Sequence, residues 1–297
     1  MEVRINSLTE AYEFLNSLLP DNSDFYFRGQ ANFEWNLQPS VYRFNNFLRY
    51  QTAVYENTLL QFKPEKPLPP LIHTEYDLEW LMLCQHYGVP TRLLDWSSDF
   101  TTALFFACYD KENLNKDGVL FICDKNDYSS LNSYGEFQQN SRNVGKISFM
   151  KTMIPNPRMR SQSGCFMIWD SYPLDKDKST ESYDLWEYHK HYENDFTLKK
   201  IIISSQAKLG IIADLRKIYD ITYNSLYLNA NQFVRKWTSH FDVIRERVYL
   251  ITLWITDAER LTDEQVKHVL RLTNGGMKNS FKGCVNLSSL VLGRKPK

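Results

Sequence analysis

The stretch Gln85-His86-Tyr87-Gly88-Val89-Pro90-Thr91-Arg92-Leu93-Leu94-Asp95-Trp96-Ser97 gathers an amide, an imidazole, a guanidinium and a carboxylate between apolar segments. Polar heads in such a setting are costly unless each meets a partner or a ligand, so the stretch reads as the wall of a site. Phe25-Tyr26-Phe27-Arg28-Gly29-Gln30 has the same character: three aromatics of a strand, then an Arg, a Gly and an amide. Arg28 at a strand end offers a fixed fork suited to a phosphate or carboxylate, and Gly29 marks a point where backbone can approach a ligand. The alternative is a structural Arg28 paired with a core carboxylate such as Asp95. His86 would hydrogen-bond a ligand or cap the last carbonyls of its helix. If 91–96 is a strand, Thr91, Leu93 and Asp95 share one face and Arg92, Leu94 and Trp96 the other. That pairs Thr91 with Asp95 in one site and leaves Arg92 to the scaffold. Arg158 and Gln162, four apart, share a face if their segment is helical.

The elements that must position these groups can be read in turn. Ser7-Leu8-Thr9-Glu10 has the form of a capping box, followed by Ala11, Phe14, Leu15 and Leu18 at helical spacing. Helices are expected over 46–62 and 74–87, the second with Leu78, Leu81, Met82 and Gln85 on one face and Gly88 as its C-terminal cap. Pro90 forces an extended chain, so 91–96 is expected as a strand. Asp99 caps the next helix, which buries Phe100, Ala103, Leu104 and Ala107. Gly118–Cys123, Cys165–Trp169 and Ile201–Ile203 are continuous apolar runs of buried strands. Pro157 suits the first turn of a short helix 157–162 that Gly164 would close, and 206–219 looks helical. Val243–Ile255 is long and apolar, and Thr262-Asp263-Glu264-Gln265 opens a further helix. Interspersed strands and helices without a regular βαβ rhythm argue an α+β fold.

Composition narrows the class. The 297 residues are 43% hydrophobic and 14% aromatic, enough for a real core, and carry no net charge. No apolar run approaches the roughly 18 residues of a membrane span, and no h-region follows the N-terminus. Five scattered cysteines without a Cys-x-x-Cys read as buried thiols of a cytoplasmic protein. P-loop, Rossmann and nucleophile-elbow signatures are absent. His189-x-His191 could bind a metal on a strand but lacks a third ligand, so no metal is expected. Charge is uneven: no acid lies between Glu136 and Asp170, a span that holds Arg142, Lys146, Lys151, Arg158 and Arg160. This permits a basic groove for nucleic acid, with Tyr134, Phe137 and Phe149 to stack bases; the alternative is unevenly charged solvated loops.

Phe27-Arg28-Gly29-Gln30 with Trp35, Leu37, Pro39-Ser40 and Arg43 resembles the opening signature of the FRG domain. Gln85–Trp96 followed by Ala103-Leu104-Phe105-Phe106-Ala107 resembles its central signature, and Asn156-Pro157-Arg158, Gln162, Gly164 and Phe166 a third, weaker block. The resemblance covers about residues 1–230. It implies a divergent ADP-ribosyltransferase-like α+β fold: a split mixed sheet with flanking helices in a 1–235 core, and a C-terminal accessory subdomain over 236–297. NAD would be the substrate, held by Arg28, Gly29, Gln30, His86, Tyr87, Thr91 and Arg92. The resemblance implies catalytic roles for Arg28, for Thr91 (or Ser97 or Ser98) as the supporting hydroxyl, and for Asp95. Gln162 stands where such enzymes carry a late Glu; an amide can position an acceptor but cannot act as a general base. A bacterial toxin or anti-phage effector follows as the expected role, with RNA favoured over DNA as acceptor. A protein acceptor is an alternative, and an antitoxin or chaperone would be the restraining partner. The competing expectation is a non-catalytic sensor of nucleotides or phosphate, favoured by the missing Glu.

Overall fold

A computed structural model of the chain describes residues 3–18, 24–43, 55–56, 59–60, 77–131, 147–151, 157–169, 172–173, 181–191, 197–227 and scattered residues between 242 and 268. Its strands are β1 (Val3–Ile5), β2 (Phe25–Gln30), β3 (Leu94–Ser97), β4 (Gly118–Asp124), β5 (Ser129–Ser130), β6 (Ser148–Lys151), β7 (Gly164–Ile168), β8 (Tyr172–Pro173), β9 (Glu181–Ser182) and β10 (Lys199–Ile203). Eight form one sheet in the order β1-β10-β4-β2-β3-β7-β6-β5, while β8 and β9 pair separately. β1–β10 and β5–β6 are parallel and the other pairs antiparallel, so the sheet of this α+β fold is mixed. The helices are α1 (Leu8–Leu18), α2 (Asp77–His86), α3 (Phe100–Cys108), α4 (Pro157–Ser161), α5 (Leu185–His191), α6 (Lys208–Tyr219) and α7 (Tyr223–Tyr227).

The continuous apolar run of β4 is explained by its place inside the sheet, covered on both faces. Leu120 and Ile122 pack with α1, α3 and α6; Val119, Phe121 and Cys123 pack on the opposite side with Leu185 and Tyr188 of α5. A third core gathers around α2, with Trp80, Leu81 and Met82. α3 lies nearly flush on the sheet because two glycines clear its path. A Cβ on Gly29 would stand 1.9 Å from the Ala103 carbonyl oxygen, and one on Gly118 2.0 Å from that of Ala107. Asp99 starts α3 by accepting the Thr101 and Thr102 amides. Lys208, wholly buried, ties α6 to the end of β2, its Nζ donating to the Ala31 and Asn113 carbonyls at 2.6 and 2.9 Å.

Gly88 closes α2 as expected, at φ 78°, with Val89 N–H donating to Cys84 O and Gly88 N–H to Gln85 O in a Schellman pattern. Three local expectations are corrected. The strand after Pro90 starts only at Leu94, because the Thr91 hydroxyl captures the Leu93 amide at 3.2 Å and diverts the backbone from the ladder. Ser163, at φ 46°, makes the left-handed turn after α4, and Gly164 already belongs to β7. His189 lies on α5, not on a strand, stacked on Trp186.

Most of 236–297 lies outside the described residues; there, Ile244 is buried with the α2 core, and Thr262 and Gln265 exchange the two bonds of a capping box. Cys84, Cys108, Cys123 and Cys165 are buried free thiols. Among the described residues no helix is long and apolar enough to cross a membrane, and no group of three or more His, Cys, Asp or Glu could hold a metal.

Candidate functional site

β2 and β3 are neighbours in the sheet but share a single register pair, Phe27 with Ser97, whereas β2 stays paired with β4 from Phe25 to Gln30. Beyond Phe27 the two strands part and the sheet opens. A cleft of about 340 Å³ occupies the opening, with Arg28 and Gln30 of β2 on one side and Asp95 and Ser97 of β3 on the other. Its size falls within the range of small-molecule sites. Arg158 of α4 and the following Gln162 close one end, while Phe106, Tyr109 and Tyr227 supply aromatic surface.

The cleft is rich in cations. The Arg28 Nη1 donates to the Asp95 carbonyl oxygen, and its Nε is buried without a partner among the described residues. Burial lowers the Arg28 pKa to about 10, with Asp95 opposing and the nearby Arg43 adding to the fall. The group still carries its charge at neutral pH. Arg43, from the 3₁₀ turn Ser40–Arg43, and Arg158 add two further guanidiniums. Arg158 lies over the Tyr227 ring at 4.3 Å, and Tyr227 stacks on Tyr223 at 4.3 Å. His86 is pushed down to about 4 by burial and by Arg158, so its ring is neutral at pH 7 and can accept as well as donate. The Asp95 carboxylate is oriented by Gln85, whose Nε2 donates to its Oδ2 at 2.9 Å while the Gln85 Oε1 accepts from the Thr91 hydroxyl at 2.5 Å.

Residues 23–116 match the family model of the FRG domain. This chain carries an FRG domain. Neither a curated protein nor a solved structure matches it.

The FRG match holds β2, β3 and α3, and with them Arg28, Gly29, Gln30, His86, Asp95 and Ser97 of the cleft; Arg158, Gln162 and Tyr227 come from beyond it. Gln162 Nε2 donates to the Leu226 carbonyl at 3.2 Å, and its own carbonyl accepts from Ser97 Oγ at 2.7 Å. Several expected ligand contacts move to the scaffold of the FRG domain. Thr91 is wholly buried behind Gln85 because its hydroxyl bonds locally. Arg92 is buried in a two-pronged ion pair with Glu56 at 2.8 and 2.9 Å, the charge it needs to leave water. Tyr87 turns its ring edge-on to His86 at the end of α2, half-buried against the α2 core. Ser98 Oγ donates to the Ser163 carbonyl. The close approach of α3 is by itself enough to require glycine at Gly29, which also lines the cleft.

The basic run is only partly placed. Arg158 reaches the cleft, and Arg160 is exposed on α4. Arg142, Lys146, Tyr134, Phe137 and the side chain of Lys151 lie outside the described residues. Phe149 is buried among Tyr26, Trp96 and Tyr128 and cannot stack a base. Sequence reasoning gave no role to Trp35, Arg43, Phe106, Tyr109 or Tyr227, all of which line the cleft. Trp35, Arg43 and Phe106 stand in the quoted signatures, which was their only signal.

Proposed function

We propose that this FRG domain binds NAD as a substrate in the sheet opening and transfers its ADP-ribosyl group to an acceptor. The observation that carries the reading is the position of Arg28. It stands where β2 leaves β3, with Arg43 and Arg158 lining the same cleft, and it keeps a buried N–H without a partner among the described residues. Three guanidiniums suit a diphosphate, and the aromatic side of the cleft suits a flat ring. Asp95, held by Gln85, is the carboxylate that would face the positive charge developing on the ribose. In the proposed reaction the bond from ribose carbon to nicotinamide nitrogen breaks, and its electron pair leaves with nicotinamide. An acceptor oxygen or nitrogen then bonds to that carbon, releasing its proton to Asp95 or solvent.

For the acceptor we favour RNA, then DNA, then protein, because Arg158 adds positive charge to the cleft and Arg160 is exposed on the same helix. An activity of this kind fits a toxin or anti-phage effector that an antitoxin or chaperone restrains. The test is incubation of the chain with adenylate-labelled NAD and separate cellular RNA, DNA and protein, against Arg28→Ala. Label in one fraction, lost in the variant, is the expected result; no label and no nicotinamide release would overturn the transferase.

One observation favours a second reading, a nucleotide sensor without catalysis. Gln162 is an amide tied to Leu226 at the position where a late carboxylate would be expected. Binding of NAD without nicotinamide release would select it.

A further inference from the structure

Gln30 is an unusual cleft residue. It is 4% exposed, and its Nε2 donates to the Asn36 carbonyl at 3.2 Å, which fixes which way the amide points. Its Oε1 is then left buried with no hydrogen-bond partner among the described residues. Residues two apart on a strand share a face, so Gln30 stands beside Arg28, and both line the cleft. A buried carbonyl oxygen without a donor is costly, and nothing among the described residues explains it.

We propose that Gln30 is a specificity-determining residue: its Oε1 accepts an N–H from the bound ligand and so selects ligands that carry an amide or amine on the ring beside Arg28. This rests on the reading that the cleft takes NAD. In that ligand two groups have the required chemistry, the carboxamide of nicotinamide and the exocyclic amine of adenine. Replacing the relevant N–H₂ by an oxygen sets acceptor against acceptor, the kind of mismatch that polar sites reject strongly. Because Nε2 is held by Asn36, the amide cannot turn over to offer a donor without losing that bond.

The experiment is calorimetric titration of the full chain with NAD, nicotinic acid adenine dinucleotide and nicotinamide hypoxanthine dinucleotide, for the native chain and for Gln30→Met, which keeps the volume. The native chain should bind one analogue about ten-fold or more weaker than NAD, and the analogue affected names the ring that Gln30 reads. In Gln30→Met that ratio should fall towards one. Equal binding of all three ligands by the native chain overturns the proposal, and needs no variant. A ratio unchanged in a Gln30→Met chain that melts like the native one overturns it as well. If none of the three dinucleotides binds, the NAD reading itself falls and takes this inference with it, an outcome distinct from binding without discrimination.

Discussion

A single imidazole shows how the cleft sets its own chemistry. His86 leaves water when α2 docks and sits near Arg158, and both effects disfavour its charged form, lowering its pKa to about 4 from 6.5. The unfolded chain therefore takes up this proton first as pH falls. The stability contributed by keeping the ring neutral is complete above about pH 6.5 and is lost progressively as pH falls towards 4. Urea denaturation of the native chain and His86→Gln should show midpoints that converge as pH drops through that window. A gap that stays constant from pH 7 to 4.5 would remove His86 as the cause.

At the scale of elements, the close seat of α3 decides the shape of the cleft, since Phe106 and Tyr109 reach it from this helix. Gly29→Ala would drive a Cβ into the Ala103 oxygen and, at 2.4 Å, the Ala107 nitrogen. Both are backbone atoms, so the helix itself must move. We expect a loss of about 3 kcal/mol or more, visible as a lowered denaturation midpoint, while Gly210→Ala, with open space around its Cβ, should cause no loss. A Gly29→Ala chain as stable as the native one would mean that α3 can shift freely.

The elements were also what the sequence disclosed best. Continuous apolar runs marked β4, β7 and β10, and Asp99 and Gly88 marked helix ends, because each signal is local. The site was less legible. Thr91 and Arg92 carry the same polar chemistry as Asp95, yet one is consumed by Gln85 and the other by Glu56, 36 positions away in the chain. No local pattern announces a partner at that distance. The same limit hid Tyr227, which meets Arg158 only once α4 and α7 are packed.

At the scale of the molecule, one register pair joins two four-strand halves of the sheet, and the cleft lies between them. Any ligand that touches both Arg28 and Asp95 adds a further link between the halves to the Arg28–Asp95 hydrogen bond. NAD at one hundred times its dissociation constant should stabilise the fold by about 2.7 kcal/mol, a rise of roughly 4 °C for a chain of this size. Scanning calorimetry should show that rise in the native chain and none in Arg28→Ala. A rise retained by the variant would move the binding site elsewhere.

The parting of β2 from β3 has one more consequence, for how such a site tolerates change. Where the strands separate, β3 still pairs with β7 and β2 with β4, but the edges facing each other carry main-chain N–H and C=O groups with no ladder between them. Those groups are present whatever side chains the positions hold. A ligand bound in the opening would therefore be held in part by backbone groups, which a side-chain substitution does not remove. A chain could lose much of the familiar signature and still hold such a ligand, provided the strands continue to part at the same step.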